Sequence, residues 1–294
     1  MTFDPKKSFQ TAIRSSWTIL KLIVPIYIFA DILFYYDVLK HISFIFKPIV
    51  SLLGLPQEAA LSIVSGLFLN LYAAIAFAAP LGLGAQEWTI LAVFLGIAHA
   101  LLVETEIMKK LGISRSFSII LRLSVGLCVG YLTSILPQSW FENQNLKDIT
   151  PPIQQHFQSI FEVLQSSLYE SLSLSLKIIA LVTILIFFLD FIKSLSFIQN
   201  YSQKVNSGFS IAVGVVLGIT YGAGILISEY EKGLLGKREI FFIGTYLMIC
   251  HAIIEDTLLF VIFGANPWVI VALRIIFATL FAFLIAQYFK KKTI

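Results

Sequence analysis

The sequence predicts an all-α, polytopic integral membrane protein with two inverted-topology repeats, each of three transmembrane helices plus a Gly-rich re-entrant hairpin. Three observations predict it. Of 294 residues, 58% are hydrophobic and 13% charged, with a mean hydropathy of +0.88, whereas soluble domains carry about a quarter charged residues. The apolar residues gather into stretches of the ~20 residues needed to cross a ~30 Å hydrocarbon core. The second half of the chain also repeats the first.

The apolar stretches run over residues 17–39, 59–83, 88–103, 117–136, 172–192, 209–227, 240–263 and 268–288. The first follows Lys6, Lys7 and Arg14, contains Lys21, and lacks a small-residue cleavage site, so it reads as a retained signal anchor. Lys290, Lys291 and Lys292 close the sequence. The positive-inside rule then puts both termini in the cytoplasm of a bacterial inner membrane and requires an even number of crossings. The net charge of +4 is a topology signal, and nucleic acid is not an expected partner. Cys128 and Cys250 lie in apolar spans without a pairing motif, so no disulfide is expected.

An offset of 152 aligns Gly66 with Gly218, Gly84 with Gly236, Glu87 with Glu239, His99 with His251, and Ala100 with Ala252. It continues through Thr105 and Thr257, Gly112 and Gly264, and Arg122 and Arg274, with Glu104 on Asp256. Upstream the offset is 153 and lays "FYYDVLKHISFI" on "FFLDFIKSLSFI". The repeats are 1–136 and 171–294, joined by a polar extramembrane linker over 137–170. Lys109, Lys110 and Arg115 follow the third stretch of the first repeat, while "GANPW" in the second has no basic residue. The preceding connection has the opposite bias, with Lys232, Lys237 and Arg238 only in the second repeat. Opposite bias at matched loops indicates inversion.

Inversion needs an odd number of crossings per repeat, so one of four stretches must turn back. The second is interrupted by Gly66, Asn70, Pro80, Gly82 and Gly84 in one repeat, and by Gly208, Gly214, Gly218, Gly222 and Gly224 in the other. Re-entrant backbone is tolerated at membrane depth where protein or a cavity surrounds it. This scheme leaves Lys40 and Lys47 outside, against the charge rule.

Within the spans, His251 and Glu255 stand four apart with Asp256 beside them, a pattern that suits a proton relay, a cation-binding set or a solute hydrogen-bonding cluster. If a metal binds, His251 and Glu255 are its expected ligands; a paired structural cluster near a helix end is the bland alternative. His99, Glu104 and Glu106 form a looser copy, because Val103 stands where Glu255 does. Arg122 and Arg274 either snorkel or neutralise the acids of their own repeat. Asn70 and Tyr221, beside Gly222 and Gly224, offer hydrogen-bonding groups where a ligand can approach backbone, while tight helix packing is the simpler use of the glycines. Thr257 completes the candidate pathway. Glu229, Glu231 and Glu239 read as solvated loop charges.

The segment "GITYGAGILISEYEKGLLGKREIFFIGTYLMICHAIIEDTLLFVIFGAN" resembles the nucleoside recognition, or gate, domain family of bacterial membrane proteins. Its pieces are the Gly-rich run 214–224, "KRE" at 237–239, "HAIIEDT" at 251–257 and "GAN" at 264–266. The family recurs in spore maturation proteins and is related to segments of concentrative nucleoside transporters and of the ferrous iron transporter B. The first repeat departs at the Gly-rich run, with Asn70 and Tyr72 at the places of Gly222 and Gly224. The resemblance implies a permease or gate for a small polar, nucleoside-like solute; relatives also suggest a divalent metal permease, or a non-transporting assembly protein with a membrane partner or a second copy of itself. No phosphate-loop motif is present, so a gradient or passive route is the expected driver. No zinc-hydrolase or nucleophile-elbow motif occurs, and neither enzymatic activity nor a cofactor is expected.

Overall fold

Most of the helices start where the sequence supplies a cap for their free N–H groups. The computed structural model describes residues 3–36, 38, 46–141, 159–195, 207–218, 226–227, 230 and 235–291. Among them every element is helical: α1 (Pro5–Tyr35), α2 (Lys47–Leu52), α3 (Ala60–Phe68), α4 (Leu71–Ala78), α5 (Ala85–Ala98), α6 (Leu101–Lys110), α7 (Arg115–Ser134), α8 (Ile160–Ser194), α9 (Ser207–Leu217), α10 (Lys237–Ile249), α11 (Ile253–Val261) and α12 (Pro267–Lys291). Asp4 caps α1, Ser114 caps α7 and Ser159 caps α8 through side-chain oxygens. The paired glutamates have one job in both repeats: Gly84 N–H donates to Glu87 Oε2 (2.6 Å) and Gly236 N–H to Glu239 Oε2 (2.9 Å). Glu239 is therefore a cap of α10 and not merely a loop charge.

Among the described residues, six stretches are long and apolar enough to cross a membrane: Pro5–Tyr35, Ala85–Lys110, Arg115–Ser134, Ile160–Ser194, Lys237–Val261 and Pro267–Tyr288. The second stretch of the first repeat folds as expected. Helices α3 and α4, nine and eight residues long, reach only about 13 Å each, and they pack on each other as a hairpin. Ser62 Oγ–H donates across it to Ala74 O (2.8 Å), and Asn70 caps α4 at the tip by accepting Ala73 N–H (3.0 Å). In the second repeat α9 is the matching first arm; residues 219–225 lie outside the described residues.

The stretch read as linker, 137–170, runs into a helix before its end. Residues 142–158 lie outside the described residues, and from Ile160 onward the chain is α8. Serines 167, 171 and 175 recur at helical spacing on its buried face, the small-residue surface that lets two membrane helices approach. That face lies along α1. Ser8 donates to Asp190 (2.8 Å) near one end, and Tyr27 donates to Glu170 (2.6 Å) near the other. Helices α1 and α8, the pair matched at offset 153, thus run antiparallel, as inverted copies must. The pairing partners of Asp190 are Ser8 and Lys193 (3.1 Å); Asp37 lies outside the described residues. Asp31, a lone acid in the sequence, accepts from Ser167 (2.5 Å).

The core is α5 and α10. Helix α5 is buried from Trp88 to Ala98, and α10 buries Ile243, Leu247, Met248 and Ile249. Around them α12 turns Ile276, Leu280, Phe283 and Leu284 outward, an apolar surface suited to lipid. Basic residues gather where the α6–α7 turn meets the start of α10. There a Cβ on Gly112 would meet the Tyr230 hydroxyl at 2.8 Å, and one on Gly244 would meet Ile113 Cδ1 at 2.3 Å. The other end holds the start of α5, the end of α7 and the start of α12, joined by Gln86 donating to Ser134 O (3.1 Å) and Asn266 Nδ2 donating to Trp140 O (2.6 Å). Gly54, just past α2, packs at this second end, where a Cβ on it would meet Ser134 Cβ at 3.2 Å.

Candidate functional site at two broken helices

Two of the membrane stretches are broken halfway. Helix α5 ends at Ala98 and α6 begins at Leu101; α10 ends at Ile249 and α11 begins at Ile253. At each break an alanine takes the left-handed conformation, Ala100 at φ 44 and Ala252 at φ 45, which costs about 1–2 kcal/mol in a residue with a Cβ. Helices α3 and α9 hold the two alanines in place, because Ala100 N–H donates to Gly66 O (2.9 Å) and Ala252 N–H to Gly214 O (3.4 Å). Glycine leaves room for the leucines packed here: a Cβ on Gly66 would lie 2.7 Å from Leu95 Cδ2, and one on Gly214 would lie 2.5 Å from Leu247 Cδ2, so either leucine would have to shift.

These contacts correct the alignment of the hairpins. Gly66 matches Gly214, not Gly218, and at the same offset Asn70 matches Gly218 rather than Gly222. Four extra residues between hairpin and α10 amount to about one helical turn, so a gapless alignment still set glycine on glycine.

Each break leaves backbone carbonyls without helical partners, a cost of several kcal/mol apiece in a membrane. The arginines meet it. Arg122 Nε–H donates to Ile97 O (2.7 Å) and Nη2–H to His99 O (2.7 Å). Arg274 does the same with Ile249 O (3.2 Å) and His251 O (2.7 Å), and reaches into the other repeat to Gly96 O (2.7 Å). Both are fully buried, so neither snorkels. Each also faces the acid of its own repeat, Arg122 Nη2 at 2.6 Å from Glu104 Oε2 and Arg274 Nη1 at 3.1 Å from Asp256 Oδ2. Cations at the C-terminal ends of half-helices and carboxylates in the first turns of the next oppose both helix dipoles favourably.

The two breaks meet. The His99 and His251 rings lie 5.2 Å apart, and Glu104 Oε1 sits 3.2 Å from the Nε2 atom of each. Their Nδ1 atoms face Leu95 O (2.8 Å) and Leu247 O (2.7 Å). The three Nε2 and Oε1 atoms lie within 4.8 Å of one another and form the one group able to hold a metal ion among the described residues. Glu255 is not in it. The helix is interrupted between positions 251 and 255, so their spacing of four does not place them on one face, and the acid beside His251 comes from the first repeat. Glu255 instead accepts a hydrogen bond from Tyr72 OH (3.3 Å).

Among the remaining candidates, Asn70 serves the α4 cap and joins no contact with the cluster among the described residues. Thr257 Oγ1 is buried without a hydrogen-bond partner there, whereas Thr105 pairs with Ser118 (3.1 Å); the counterpart of Ser118 is Ile270. Tyr221, Gly222 and Gly224 lie outside the described residues. Two contributors escaped the sequence reading. Gly96 makes room for Arg274, whose Nη1 would stand 3.0 Å from a Cβ there, and Tyr72 reaches across repeats; a polar ring beside Asn70 was the only signal for it. Asn266 of "GAN" starts α12, accepting Trp268 N–H (2.9 Å) at its Oδ1.

No protein-family profile matches the chain, and no solved structure matches it. It is 27% identical over 289 residues, 95% of its own length and 92% of the relative's, to "Uncharacterized membrane protein YvoD" of Bacillus subtilis (strain 168). Similar along nearly its whole length to a bacterial membrane protein, and with six apolar helical stretches of spanning length among the described residues, the chain is an all-α polytopic membrane protein.

Proposed function

We propose that this protein is an inverted-repeat permease of the bacterial inner membrane, carrying a small polar solute or cation past the buried cluster by a gradient-driven or passive route. One observation carries the reading: two broken helices from opposite repeats place their breaks side by side, with charged and imidazole groups between them halfway along the spans. Broken helices at the interface of inverted repeats are where secondary transporters hold substrate and coupling ions. Ionisable groups at such depth are costly unless they serve a pathway or a paired network. The resemblance to nucleoside recognition domains supports a nucleoside-like solute as the first organic class to test. The basic end, with Lys109, Lys110, Lys237 and Arg238, faces the cytoplasm in this reading, and so do both termini.

The test is uptake into liposomes holding purified protein, with nucleosides, bases and divalent cations as solutes. One class enters with wild type, and entry is abolished in His251→Ala and Glu104→Gln proteins that keep a wild-type helical spectrum. Normal uptake in both variants would remove the site.

A second reading, a non-transporting assembly protein, draws on one observation: Arg122 and Arg274 are spent on carbonyls and acids of the fold itself. It predicts a stable complex with a membrane partner and no uptake of any solute.

A further inference from the structure

We infer that His99 Nε2, His251 Nε2 and Glu104 Oε1 together bind one divalent transition-metal ion, of the zinc, iron(II) or cobalt(II) class, between the two repeats. This names the solute class of the site above; it rests on the permease reading only for the ion's movement, not for its binding.

Hydrogen-bond arithmetic leads to the ion. A backbone carbonyl only accepts, so the contacts from His99 Nδ1 to Leu95 O and from His251 Nδ1 to Leu247 O require a proton on each Nδ1. In a neutral imidazole that leaves a lone pair on Nε2. Both lone pairs then point at one carboxylate oxygen, each from 3.2 Å. With both imidazoles neutral, three electron-rich atoms converge with no hydrogen between them, an arrangement that a shared cation resolves.

The geometry suits a metal. Bonds of 2.0–2.1 Å to nitrogen and oxygen give ligand-to-ligand edges of about 3.0–3.4 Å around a four- or six-coordinate ion; both edges through Glu104 are 3.2 Å, and the two histidine Nε2 atoms, within 4.8 Å of one another, close onto the ion as it binds. Two imidazoles and one carboxylate favour zinc or its transition-metal neighbours over magnesium and calcium, which take oxygen donors. The outer contacts are those of a built site. Each histidine donates its far N–H to a carbonyl, and Arg122 holds the other oxygen of Glu104, which fixes tautomer and orientation.

The cluster is nearly enclosed: the side chains of His251, Glu104 and His99 are 2%, 8% and 12% exposed. Neither repeat alone provides the set: His99 and Glu104 come from one broken helix and His251 from the other. That division gives an ion held there a way to sense the relative position of the repeats.

Full-length protein in detergent, stripped with chelator and titrated with Co²⁺ alone, tests the inference. One equivalent binds with a visible ligand-field band; His99→Ala and His251→Ala each lower affinity by at least about 100-fold, and Asp190→Asn leaves it unchanged. Should either histidine variant fail to fold, wild-type protein decides: Zn²⁺ raises its melting temperature and Mg²⁺ does not. Absence of bound cobalt, unchanged binding in a folded double-histidine variant, or no preference for Zn²⁺ over Mg²⁺ would overturn the site. Cobalt binding without uptake of any solute leaves the site and removes the permease; nucleoside uptake without cobalt binding does the reverse.

Discussion

The two arginines illustrate what one residue can carry. Each guanidinium closes a helix break and neutralises an acid, work that needs a planar fork of donors. Arg274→Gln is expected to lose about 3–5 kcal/mol of stability, because Asp256 is left buried and unpaired. Arg274→Lys recovers the charge but not the fork, so it should fall between wild type and Arg274→Gln in denaturant melts followed by circular dichroism. The pairing of each arginine with its own acid was legible, since both recur at one offset. Its capping role was not, because no glycine or proline marks the chain at 98–101 or 250–253; each break rests on an alanine with positive φ. Ala252→Val is expected to destabilise by at least about 1–2 kcal/mol, since a β-branched residue resists that conformation. Ala252→Gly should not destabilise comparably.

At the scale of elements, the breaks depend on the hairpins. Helices α3 and α9 supply the carbonyls that receive the alanine N–H groups, and glycine at each of those positions leaves space for a leucine packed against it. Gly66→Ala is expected to cost about 1–3 kcal/mol, the usual cost of overpacking, and adding Leu95→Val should return part of it by vacating the space the new methyl needs. Equal loss in the single and double variants would show that the contact does not set the approach. Glycine and asparagine made the hairpin of the first repeat legible as re-entrant. The register between the repeats was not, since a shift of about one turn keeps the same helix face and leaves glycine patterns matched. The start of α8 was hidden for a related reason: "FEVLQSSLYES" reads as polar linker, yet its serines lie against α1 and its acid meets Tyr27.

For the whole molecule, inversion determines everything at the centre, since only opposed copies bring His99, Glu104 and His251 to one point. The copies were legible in the offset of 152 and their opposition in the loop charges; the crossing of the repeats was not, because Glu104 and His251 are 147 residues apart. Antiparallel pairing of α1 with α8 is the structural sign of the inversion. The most direct test is single-cysteine labelling in intact cells and inverted vesicles, after Cys128 and Cys250 are replaced. Cysteines at Lys110 and Lys237 should react from the cytoplasmic side, and cysteines at Ser139 and Trp268 from the opposite side. Labelling of Lys110 and Lys237 positions from opposite sides would mean that the repeats run parallel, and the shared site could not form.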